Sequence, residues 1–375
     1  MRILFICRSL DPGGAERQLV TLASSLDGMG HEVGIATFYS GGSLEKHLTG
    51  SGIKLLRLNK KGRWDAAAFF IRTVKAARSF KPDIIHGYMS TANILSVMVR
   101  PFLGFKCKSV FGVRSSDMDL SRYDWLWKLA HGFETWLSRY ADLLIANSTA
   151  GLEHSRQSGF SPGKAIVISN GIDVSQFYPD PAAGQALRMG WKISPGEKVV
   201  GVVARIDPMK DYPNFFRASA IVLGKQSDVR FVCVGKGEKS YENAMRREAS
   251  AAGLGDKIIF AGSRADMLSV YNAFDTLVLP SINGEGFPNV VGEAMACGTP
   301  CVVTDVGDAA HVVGDAGIAV PKGDSAVLAG GIMKILGMSG QEKEKLSATG
   351  RERIASFFTV QKMASSTSAA LESIL

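Results

Sequence analysis

The sequence has few cysteines and no long apolar run, and each absence excludes a class of protein. Five cysteines occur among 375 residues, scattered and without a C-x-x-C pair, which argues against a disulfide framework or a zinc site and fits a reducing compartment. No apolar run approaches the roughly 18–20 residues that a membrane-spanning helix needs. The first residues, MRILFICRSL, meet a charge at Arg8 and are more typical of a buried strand than of a signal peptide.

Negative charge is scarce in the first half of the sequence. Residues 1–170 contain 22 Lys and Arg against 13 Asp and Glu, so this half holds all of the net charge of +8. Such an imbalance predicts an anionic partner, which can be a lipid head group, a membrane surface, a phosphorylated acceptor or a nucleic acid. None of the usual nucleic-acid recognition modules is visible, so we do not expect nucleic acid to be the partner.

Short apolar, β-branched runs alternate with longer helical stretches in both halves. The predicted strands are residues 2–7, 32–38, 83–88, 108–114, 142–148 and 165–170 in the first half, and 198–205, 229–235, 257–262, 276–281 and 300–305 in the second. Strands buried on both faces and separated by crossover helices predict a parallel sheet. Two such sets predict an α/β protein with two doubly wound, Rossmann-like domains.

A linker-like segment, SNGIDVSQFYPDPAAGQ, separates the two sets of strands. Its Asn-Gly turn and its prolines suit a domain boundary. We place the N-terminal domain at residues 1–172 and the C-terminal domain at 173–358, with a final helix at 359–375 that packs back on the N-terminal domain. Ligands of open α/β sheets bind beyond the C-terminal ends of the strands, so the expected site is the cleft between the domains.

The first strand-to-helix turn contains Gly13 and Gly14 but lacks the G-x-G-x-x-G fingerprint, so a nicotinamide or flavin site is not supported. Two interpretations of the glycine pair stay open. A tight turn is the commoner reason for such a pair, whereas a close backbone approach to an anion at a helix N-terminus is the functional one.

The strand at residues 198–205 ends in Arg205, and Lys210 follows after a proline turn. Two cations at a strand-to-helix junction suit a diphosphate, which arginine can bind in a bidentate manner. The alternative is a pair of exposed surface charges, which is how most Lys and Arg residues occur.

The stretch GEGFPNVVGEAMACGTP, residues 284–300, places two glutamates in an otherwise apolar segment. Unpaired buried carboxylates are costly, so Glu285 and Glu293 either lie on a solvated face or accept hydrogen bonds from a bound group. We predict a loop followed by a helix that begins near Pro288, since proline suits the first helical turn. The backbone N–H groups of residues 287–290 can then receive a phosphate or sugar oxygen, and Glu293 can bridge ribose hydroxyls.

The sequence resembles the family 4 glycosyltransferases, which have the GT-B fold with two Rossmann-like domains facing a central cleft. The matching pieces are PGGAER, NGID, ARIDPMKD, FAGSRADM and, most specifically, EGFPNVVGEAMACGTP, in family order. The resemblance implies transfer of a sugar from a nucleotide-diphosphate sugar, such as a UDP- or GDP-sugar, to an acceptor hydroxyl with retention. It also implies no cofactor and no metal, an acceptor-binding N-terminal domain and a donor-binding C-terminal domain.

The resemblance implies a role for each matching position. Arg205 and Lys210 neutralise the leaving diphosphate, Glu285 contacts the donor sugar, and Arg264 lies near the nucleobase. The full set of implied donor-binding positions is Gly13, Gly14, Arg264, Gly286, Phe287, Pro288, Asn289, Val290 and Glu293.

One position departs from the family pattern. Many members have a histidine that touches the reacting centre where this sequence has Arg114. An arginine cannot act as a general acid or base at neutral pH, but it can hold a phosphate or an acidic group on the sugar or acceptor, so we count Arg114 among the catalytic candidates. His86, at another predicted strand end, is either a structural residue or one that lines the cleft.

Two segments of the basic first half indicate how the acceptor substrate could be presented to the protein. Residues 60–81 form a basic amphipathic pattern, and residues 122–140 carry three tryptophans. Four apolar positions fall at helical spacing in the second segment: Trp125, Leu129, Phe133 and Trp136. These side chains either pack against the sheet or contact an anionic bilayer that presents a glycan linked to a lipid diphosphate.

We therefore expect a retaining glycosyltransferase of bacterial surface polysaccharide or lipid-linked oligosaccharide synthesis. Its acceptor is a glycan or a glycan linked to a lipid diphosphate. Its expected location is the cytoplasm, peripheral on the inner face of the cytoplasmic membrane. Two alternatives stay open: a nucleotide-sugar epimerase of the same fold, and a non-catalytic partner subunit that binds nucleotide-sugar.

Overall fold

The computed structural model describes residues 1–114 and 125–375, and the strands in that part of the chain form two parallel sheets. The strands of the first sheet are β1 (Arg2–Cys7), β2 (Glu32–Thr37), β3 (Lys54–Arg57), β4 (Ile84–Tyr88), β5 (Lys108–Val113), β6 (Leu143–Ala146) and β7 (Ala165–Val167). The strands of the second sheet are β8 (Lys198–Val203), β9 (Val229–Val234), β10 (Ile258–Gly262), β11 (Thr276–Leu279), β12 (Cys301–Thr304) and β13 (Gly317–Val320).

Helices connect most successive strands in both sheets. In the first half of the chain the described helices are α1 (Gly14–Gly28), α2 (Ala66–Phe80), α3 (Ser90–Met98), α4 (Trp125–Leu137) and α5 (Thr149–Gln157). In the second half they are α6 (Pro181–Gly190), α7 (Tyr212–Leu223), α8 (Lys239–Ala251), α9 (Met267–Asn272), α10 (Asn289–Ala296), α11 (Ala309–Val313), α12 (Ser325–Leu336), α13 (Gly340–Phe357) and α14 (Val360–Glu372).

The chain divides into two units, each built on one sheet. Unit 1 comprises Met1–Gly171 and Val360–Leu375, and unit 2 comprises Ile172–Thr359. The strand order is β3-β2-β1-β4-β5-β6-β7 in unit 1 and β10-β9-β8-β11-β12-β13 in unit 2. The order reverses between β1 and β4 and between β8 and β11, which makes both sheets doubly wound, as predicted. Ligands of such sheets bind where the order reverses.

The central strands are largely apolar on both faces because helices cover both faces of each sheet. In β1, Ile3 and Phe5 pack into one buried cluster, while Leu4 and Ile6 pack into another on the opposite face. Side chains of a strand alternate between the two faces, so a strand buried on both sides needs apolar residues throughout. This is why the sequence pattern identified these strands.

Two strands were not predicted, and both lie at a sheet edge. The strand β3, Lys54–Arg57, begins and ends with an exposed basic residue, and β13, Gly317–Val320, is only partly buried. Edge strands pair on one side only and tolerate exposed and charged residues. The charged ends of β3 reduce its apolar run to two leucines, whereas β13 has the short apolar run Gly-Ile-Ala-Val and was not recognised.

The last helix, α14, belongs to unit 1. Its residues Met363, Ala364 and Leu371 join the buried cluster that also contains Leu19 and Leu22 of α1. The chain thus returns to its first unit after completing the second, as predicted for the C-terminal helix.

Candidate active site

The connection after β8 carries two of the predicted cations. Arg205 lies two residues beyond the strand, and Lys210 ends a short 3-10 turn, Pro208–Lys210, just before α7. Asp207 caps this turn, because its Oδ1 accepts a hydrogen bond of 3.0 Å from the Met209 amide. Since β8 and β11 are neighbours in a parallel sheet, the connections that follow them leave the sheet at the same edge.

Lys210 forms an ion pair with Glu285, which lies in the connection after β11. The Ser281 hydroxyl donates a hydrogen bond of 2.5 Å to the same carboxylate oxygen, Oε1. The Glu285 side chain is 9% exposed and that of Lys210 is 19% exposed. A charge removed from water to this extent needs such partners. Two residues that the sequence assigned to different parts of a donor therefore contact each other directly.

Backbone hydrogen bonds fix the Glu285 loop on both sides. The Ile282 amide donates to the Met209 carbonyl over 2.9 Å, and the Asp308 amide donates to the Gly286 carbonyl over 3.1 Å. Next to Asp308, Gly307 has a φ of +61°, and a Cβ atom built there would lie 2.2 Å from the Glu285 carbonyl oxygen. Only glycine combines this conformation with so close an approach. The position of Glu285 is thus set by the backbone around it.

Glu293 lies on α10 and is buried, with 5% of the residue exposed. Its Oε2 accepts a hydrogen bond of 2.5 Å from the hydroxyl of Tyr271, which is completely buried on α9. Tyr271 was not identified from the sequence, since a tyrosine in an apolar helix carries no signal beyond core packing. Its hydroxyl orients the carboxylate for which the sequence predicted a ribose-binding role.

Arg205 and Arg264, the other two cations predicted in unit 2, differ in how closely a carboxylate already pairs with each. The Arg205 side chain is 64% exposed, and its Nε lies 3.4 Å from Asp207 Oδ2. Arg264 binds Asp266 in a bidentate manner, over 2.8 and 2.6 Å. That hydrogen bonding raises the pKa of the Arg264 guanidinium above its ordinary value. Its Cζ also lies 5.8 Å from the centroid of the Trp191 ring.

The predicted loop-to-helix junction at residues 286–290 is present. Pro288 is the N-cap residue of α10, which begins at Asn289, next to the predicted start near Pro288. The side chain of Phe287 is 4% exposed and packs edge-on against Phe358, with the ring centroids 5.3 Å apart. Phe287 can therefore serve a ligand only through its backbone, and its ring anchors the junction in the core.

In unit 1, the predicted glycine pair lies at the N-terminus of α1, where Gly13 is the N-cap residue. A Cβ atom at Gly13 would lie 2.1 Å from the carboxylate oxygen Oε2 of Glu16. Burial raises the pKa of Glu16, while a hydrogen bond from its own backbone amide opposes that rise. Glu16 was not identified from the sequence. A phosphate can approach Gly13 only if the Glu16 side chain turns away.

His86, in the middle of β4 and not at its end as predicted, lies near Tyr88 at the end of β4 and Arg114 just after β5. These three residues are called the Arg114 cluster below. His86 is completely buried, and its ring centroid lies 5.8 Å from that of Tyr88. The Cζ atom of Arg114 lies 4.1 Å from the Tyr88 ring centroid. Burial and, secondly, the positive charge of Arg114 hold the pKa of His86 well below its usual range. This histidine is therefore neutral at pH 7.

Residues 1–114 and 125–375 contain no cluster of metal-ligating side chains and no helix that could cross a membrane. No group of three or more His, Cys, Asp or Glu side chains in these ranges is arranged to hold a metal ion. The sequence also contains an Asp-x-Asp pair, Asp117 and Asp119, which lies outside the described residues. Metal independence therefore stays a prediction. No helix of the described chain is long and apolar enough to cross a membrane.

Two family models match successive parts of the chain. The model described as Glycosyltransferase Family 4 matches residues 12–176, and the model described as Glycosyl transferases group 1 matches residues 197–338. The first match lies in unit 1 except for its last five residues, and the second lies in unit 2. Together the two matches identify the chain as a glycosyltransferase of the family 4 type.

Two related glycosyltransferases are similar in sequence to this chain over different fractions of its length. The D-inositol 3-phosphate glycosyltransferase of Rhodococcus jostii is 31% identical over 199 residues, which are 51% of this chain and 42% of the relative. The lipopolysaccharide core biosynthesis mannosyltransferase LpsB of Rhizobium meliloti is 24% identical over 300 residues, 77% of this chain and 79% of the relative. The match with the Rhodococcus protein thus spans about two fifths of that protein's length.

Solved structures share the fold of this family 4 chain over its full length. The crystal structure of Anabaena HepE in complex with UDP has a TM-score of 0.85 and 23% identity, with 100% of both chains covered. WaaG, a glycosyltransferase involved in lipopolysaccharide biosynthesis, has a TM-score of 0.75 and 16% identity, with 96% of this chain and 98% of that chain covered. These likenesses confirm the predicted GT-B fold class.

Proposed function

We propose that this protein transfers a sugar from a nucleotide-diphosphate sugar to the hydroxyl of a glycan or of a glycan linked to a lipid diphosphate, with retention of anomeric configuration and without a metal ion. The observation that carries the proposal is the Lys210–Glu285 ion pair at the point where the strand order of unit 2 reverses, with Arg205 on the same connection. The named relatives are transferases, which favours transfer over epimerisation or a purely binding role.

Lys210 and Arg205 supply the positive charge that a leaving diphosphate needs. An ammonium group has three N–H donors, so Lys210 can hold Glu285 with one and keep the others for a phosphate oxygen. The exposed guanidinium of Arg205 has room to bind a second phosphate in a bidentate manner. Negative charge grows on the diphosphate as the glycosidic bond breaks, and preorganised cations stabilise that charge without reorganising.

The other predicted residues bind the sugar at one end of the donor and the nucleoside at the other. Glu285, held by Lys210 and Ser281, accepts hydrogen bonds from the donor sugar. Glu293, oriented by Tyr271, does so from the ribose hydroxyls. The backbone N–H groups of Gly286, Phe287, Asn289 and Val290 donate to phosphate or sugar oxygens, whereas Pro288 has no N–H to donate. Arg264, with its charge balanced by Asp266, lies near the nucleobase. The HepE structures contain UDP and UDP-glucose, which supports a uridine diphosphate sugar as the donor.

The proposed chemistry can be tested before the natural acceptor is known, because water serves as a slow acceptor. UDP- and GDP-sugars are incubated with the protein in EDTA, and ¹H NMR identifies the first anomer released, before it equilibrates. The proposal predicts the same anomer as in the donor and a rate that EDTA does not change. An inverted anomer, or a rate that requires Mg²⁺ or Mn²⁺, would contradict it.

Replacing Arg205 tests the leaving-group role in the same assay. Arg205→Ala is expected to lower the rate by about 10²–10³, the usual loss when one such electrostatic contact is removed. Arg217 on α7 is exposed, so Arg217→Ala is a control of equal charge change and is expected to keep the rate. Equal losses in both variants would assign the effect to net charge and not to the site.

The acceptor side of the proposal includes an anionic membrane surface. Leu129, Phe133 and Trp136 on α4 are 63%, 40% and 46% exposed, so these three do not pack into the core. Phe133 stacks on Trp136 with the ring centroids 5.9 Å apart, and the Arg139 guanidinium lies 5.8 Å from the Trp136 ring. Exposed apolar side chains beside basic ones are typical of helices that lie in a membrane interface.

Sedimentation with vesicles tests this surface. The protein is expected to sediment with vesicles of phosphatidylglycerol and phosphatidylcholine at low salt, and Leu129→Glu is expected to reduce the bound fraction strongly. Met189 on α6 is 64% exposed, almost the same as Leu129, so Met189→Glu is a matched control that should still bind. Failure of the unmodified protein to sediment would remove the membrane from the proposal without affecting the donor site.

A further inference from the structure

Arg114 is a partly buried arginine without an ion-pair partner among the described residues. In residues 1–114 and 125–375, no Asp or Glu forms an ion pair with its guanidinium, and no hydrogen-bond partner reaches its buried Nε. Its contact is with the Tyr88 ring, 4.1 Å from Cζ to the ring centroid. Burial lowers the pKa of this guanidinium, but an arginine does not lose its proton in a protein.

The neighbouring polar groups are also without partners in the described structure. Neither ring nitrogen of His86 has a hydrogen-bond partner there, nor does the Tyr88 hydroxyl. Both side chains are at least nine-tenths buried. Burial raises the pKa of Tyr88 and lowers that of His86, so both are neutral at pH 7. Unsatisfied buried polar groups are rare in folded proteins, and a group of them in one place indicates a missing partner.

Gly112 packs tightly between these groups and the neighbouring backbone. A Cβ atom at Gly112 would lie 3.3 Å from His86 Nε2 and 3.5 Å from Arg114 Nε, so both nitrogens lie beside Gly112. It would also lie 2.6 Å from the Gly87 carbonyl oxygen, which excludes any larger residue at position 112. The two unpartnered nitrogens therefore lie close together, and Gly112 and Arg114 also line a pocket that Glu134 borders.

We propose that the Arg114 cluster is a subsite for an oxyanion carried by a sugar, either the carboxylate of a hexuronic acid or a phosphate monoester. Arginine binds both groups through charge-assisted hydrogen bonds, and a neutral histidine can donate one more. The inference rests on the proposed function, since the sugar belongs either to the donor or to the acceptor of that reaction. It narrows the substrate class from sugars in general to acidic sugars.

The first test needs no nucleotide, so its outcome is independent of the donor site. In protein labelled with ¹⁵N at arginine Nε, the Arg114 resonance is assigned by its loss in Arg114→Lys. We expect this resonance to shift when glucuronate or glucose 6-phosphate is added and to stay in place with glucose at equal concentration. No shift with either anion would overturn the proposal.

The second test locates the source of the oxyanion. If the donor carries it, calorimetry should show UDP-glucuronic acid binding at least tenfold more tightly than UDP-glucose. Arg114→Gln should abolish this preference without changing the affinity for UDP. If the acceptor carries it, the two donors should bind alike, and the Arg114 resonance should still respond to glucuronate or glucose 6-phosphate with UDP present. Failure of UDP itself to bind would count against the proposed function and leave the nucleotide-free test to decide the subsite.

Two controls distinguish the subsite from a general charge effect and from an internal ion pair. Arg100, also in unit 1, is already paired with Asp142 over 3.1 Å, so Arg100→Gln should leave the preference for acidic sugars intact. Asp117 and Asp119 lie outside the described residues. If changing both to asparagine shifts the Arg114 resonance in the absence of ligand, an internal carboxylate satisfies Arg114, and the proposal is wrong.

Discussion

Lys210 and Glu285, separated by 75 residues in the sequence, form an ion pair beside the point where the strand order of unit 2 reverses. Both side chains are largely removed from water, and Ser281 holds the same carboxylate oxygen. The pair therefore has a structural role as well as the proposed role in catalysis. These two roles can be measured separately.

The energy of the pair is accessible by a double-mutant cycle on Lys210→Met and Glu285→Gln. Because each partner is largely buried, we expect a coupling energy of about 1–3 kcal/mol from urea unfolding of the four proteins. The pair Arg246–Glu242, one helical turn apart and more exposed, is the control, with an expected coupling of about 0.3–0.5 kcal/mol. Equal coupling in the two pairs would show that burial does not strengthen the Lys210–Glu285 interaction.

Gly307→Ala is expected to displace the Glu285 loop. The added Cβ would meet the Glu285 carbonyl at 2.2 Å in a backbone conformation with a φ of +61°, so we expect a loss of about 2–3 kcal/mol in unfolding free energy. Gly323→Ala is the matched control, since Gly323 has a φ of +76° and no atom within 4 Å of its Cβ position. It should lose only about 1 kcal/mol. A loss in Gly307→Ala no larger than in the control would mean that the loop adapts to the extra atom.

Tyr271→Phe removes the hydrogen bond to Glu293 while keeping the ring. A hydrogen bond to a charged group contributes about 1.5–3 kcal/mol, and a neutral one about 0.5–1.5 kcal/mol. Tyr212, equally buried, donates to the Ala204 carbonyl over 3.0 Å, so Tyr212→Phe provides the neutral comparison. We expect the larger loss of unfolding free energy in Tyr271→Phe. The same loss in both would argue that Glu293 accepts its hydrogen bond as a neutral group.

Asp275 makes the stability of unit 2 depend on pH. Burial acts to raise the pKa of this carboxyl, but Lys343 and Arg188, at 2.6 and 2.7 Å, outweigh it and hold the pKa below the ordinary value of 3.8. A carboxyl with a lowered pKa in the folded state stabilises the protein above its ordinary pKa and loses that contribution as pH falls through the lowered value.

Asp275→Asn is therefore expected to cost about 3–5 kcal/mol at pH 7. The difference from the unmodified protein should shrink as the pH is lowered below 3.8. Asp256, whose side chain is 89% exposed, is the control, and Asp256→Asn should change stability by no more than about 1 kcal/mol. A loss in Asp275→Asn that stays constant down to pH 2 would contradict the lowered pKa.

The sequence was sufficient for the fold because strands buried on both faces are largely apolar. Eleven of the thirteen strands in residues 1–114 and 125–375 were predicted as apolar runs, and the edge strands β3 and β13 were missed. The loop and helix around Glu285 and Glu293 were also predicted, since glycine and proline mark their ends. These features are local, so a single stretch of sequence is enough to indicate them.

The partners of the site residues could not be predicted in the same way. Tyr271 and Glu293 are 22 residues apart, and they meet because α9 and α10 pack in the same core. Glu16 folds back on Gly13 through a side-chain conformation that no pattern encodes. Which hydrogen-bonding partner each carboxylate contacts depends on the packing between separate helices and loops. The sequence therefore indicates the charged residues of the site more readily than their pairing.

The central claim is that unit 2 binds a nucleoside diphosphate through the cations after β8, and calorimetric titration tests it most directly. UDP, GDP, ADP and CMP are titrated into the metal-free protein, into Arg205→Ala and into the control Arg217→Ala. We predict that one diphosphate binds tightly to the unmodified protein and equally tightly to the control. Arg205→Ala should weaken the affinity for that diphosphate about 10- to 100-fold, the effect of losing a charge-assisted hydrogen bond. Absence of binding by all four nucleotides, or equal binding by Arg205→Ala, would contradict the claim.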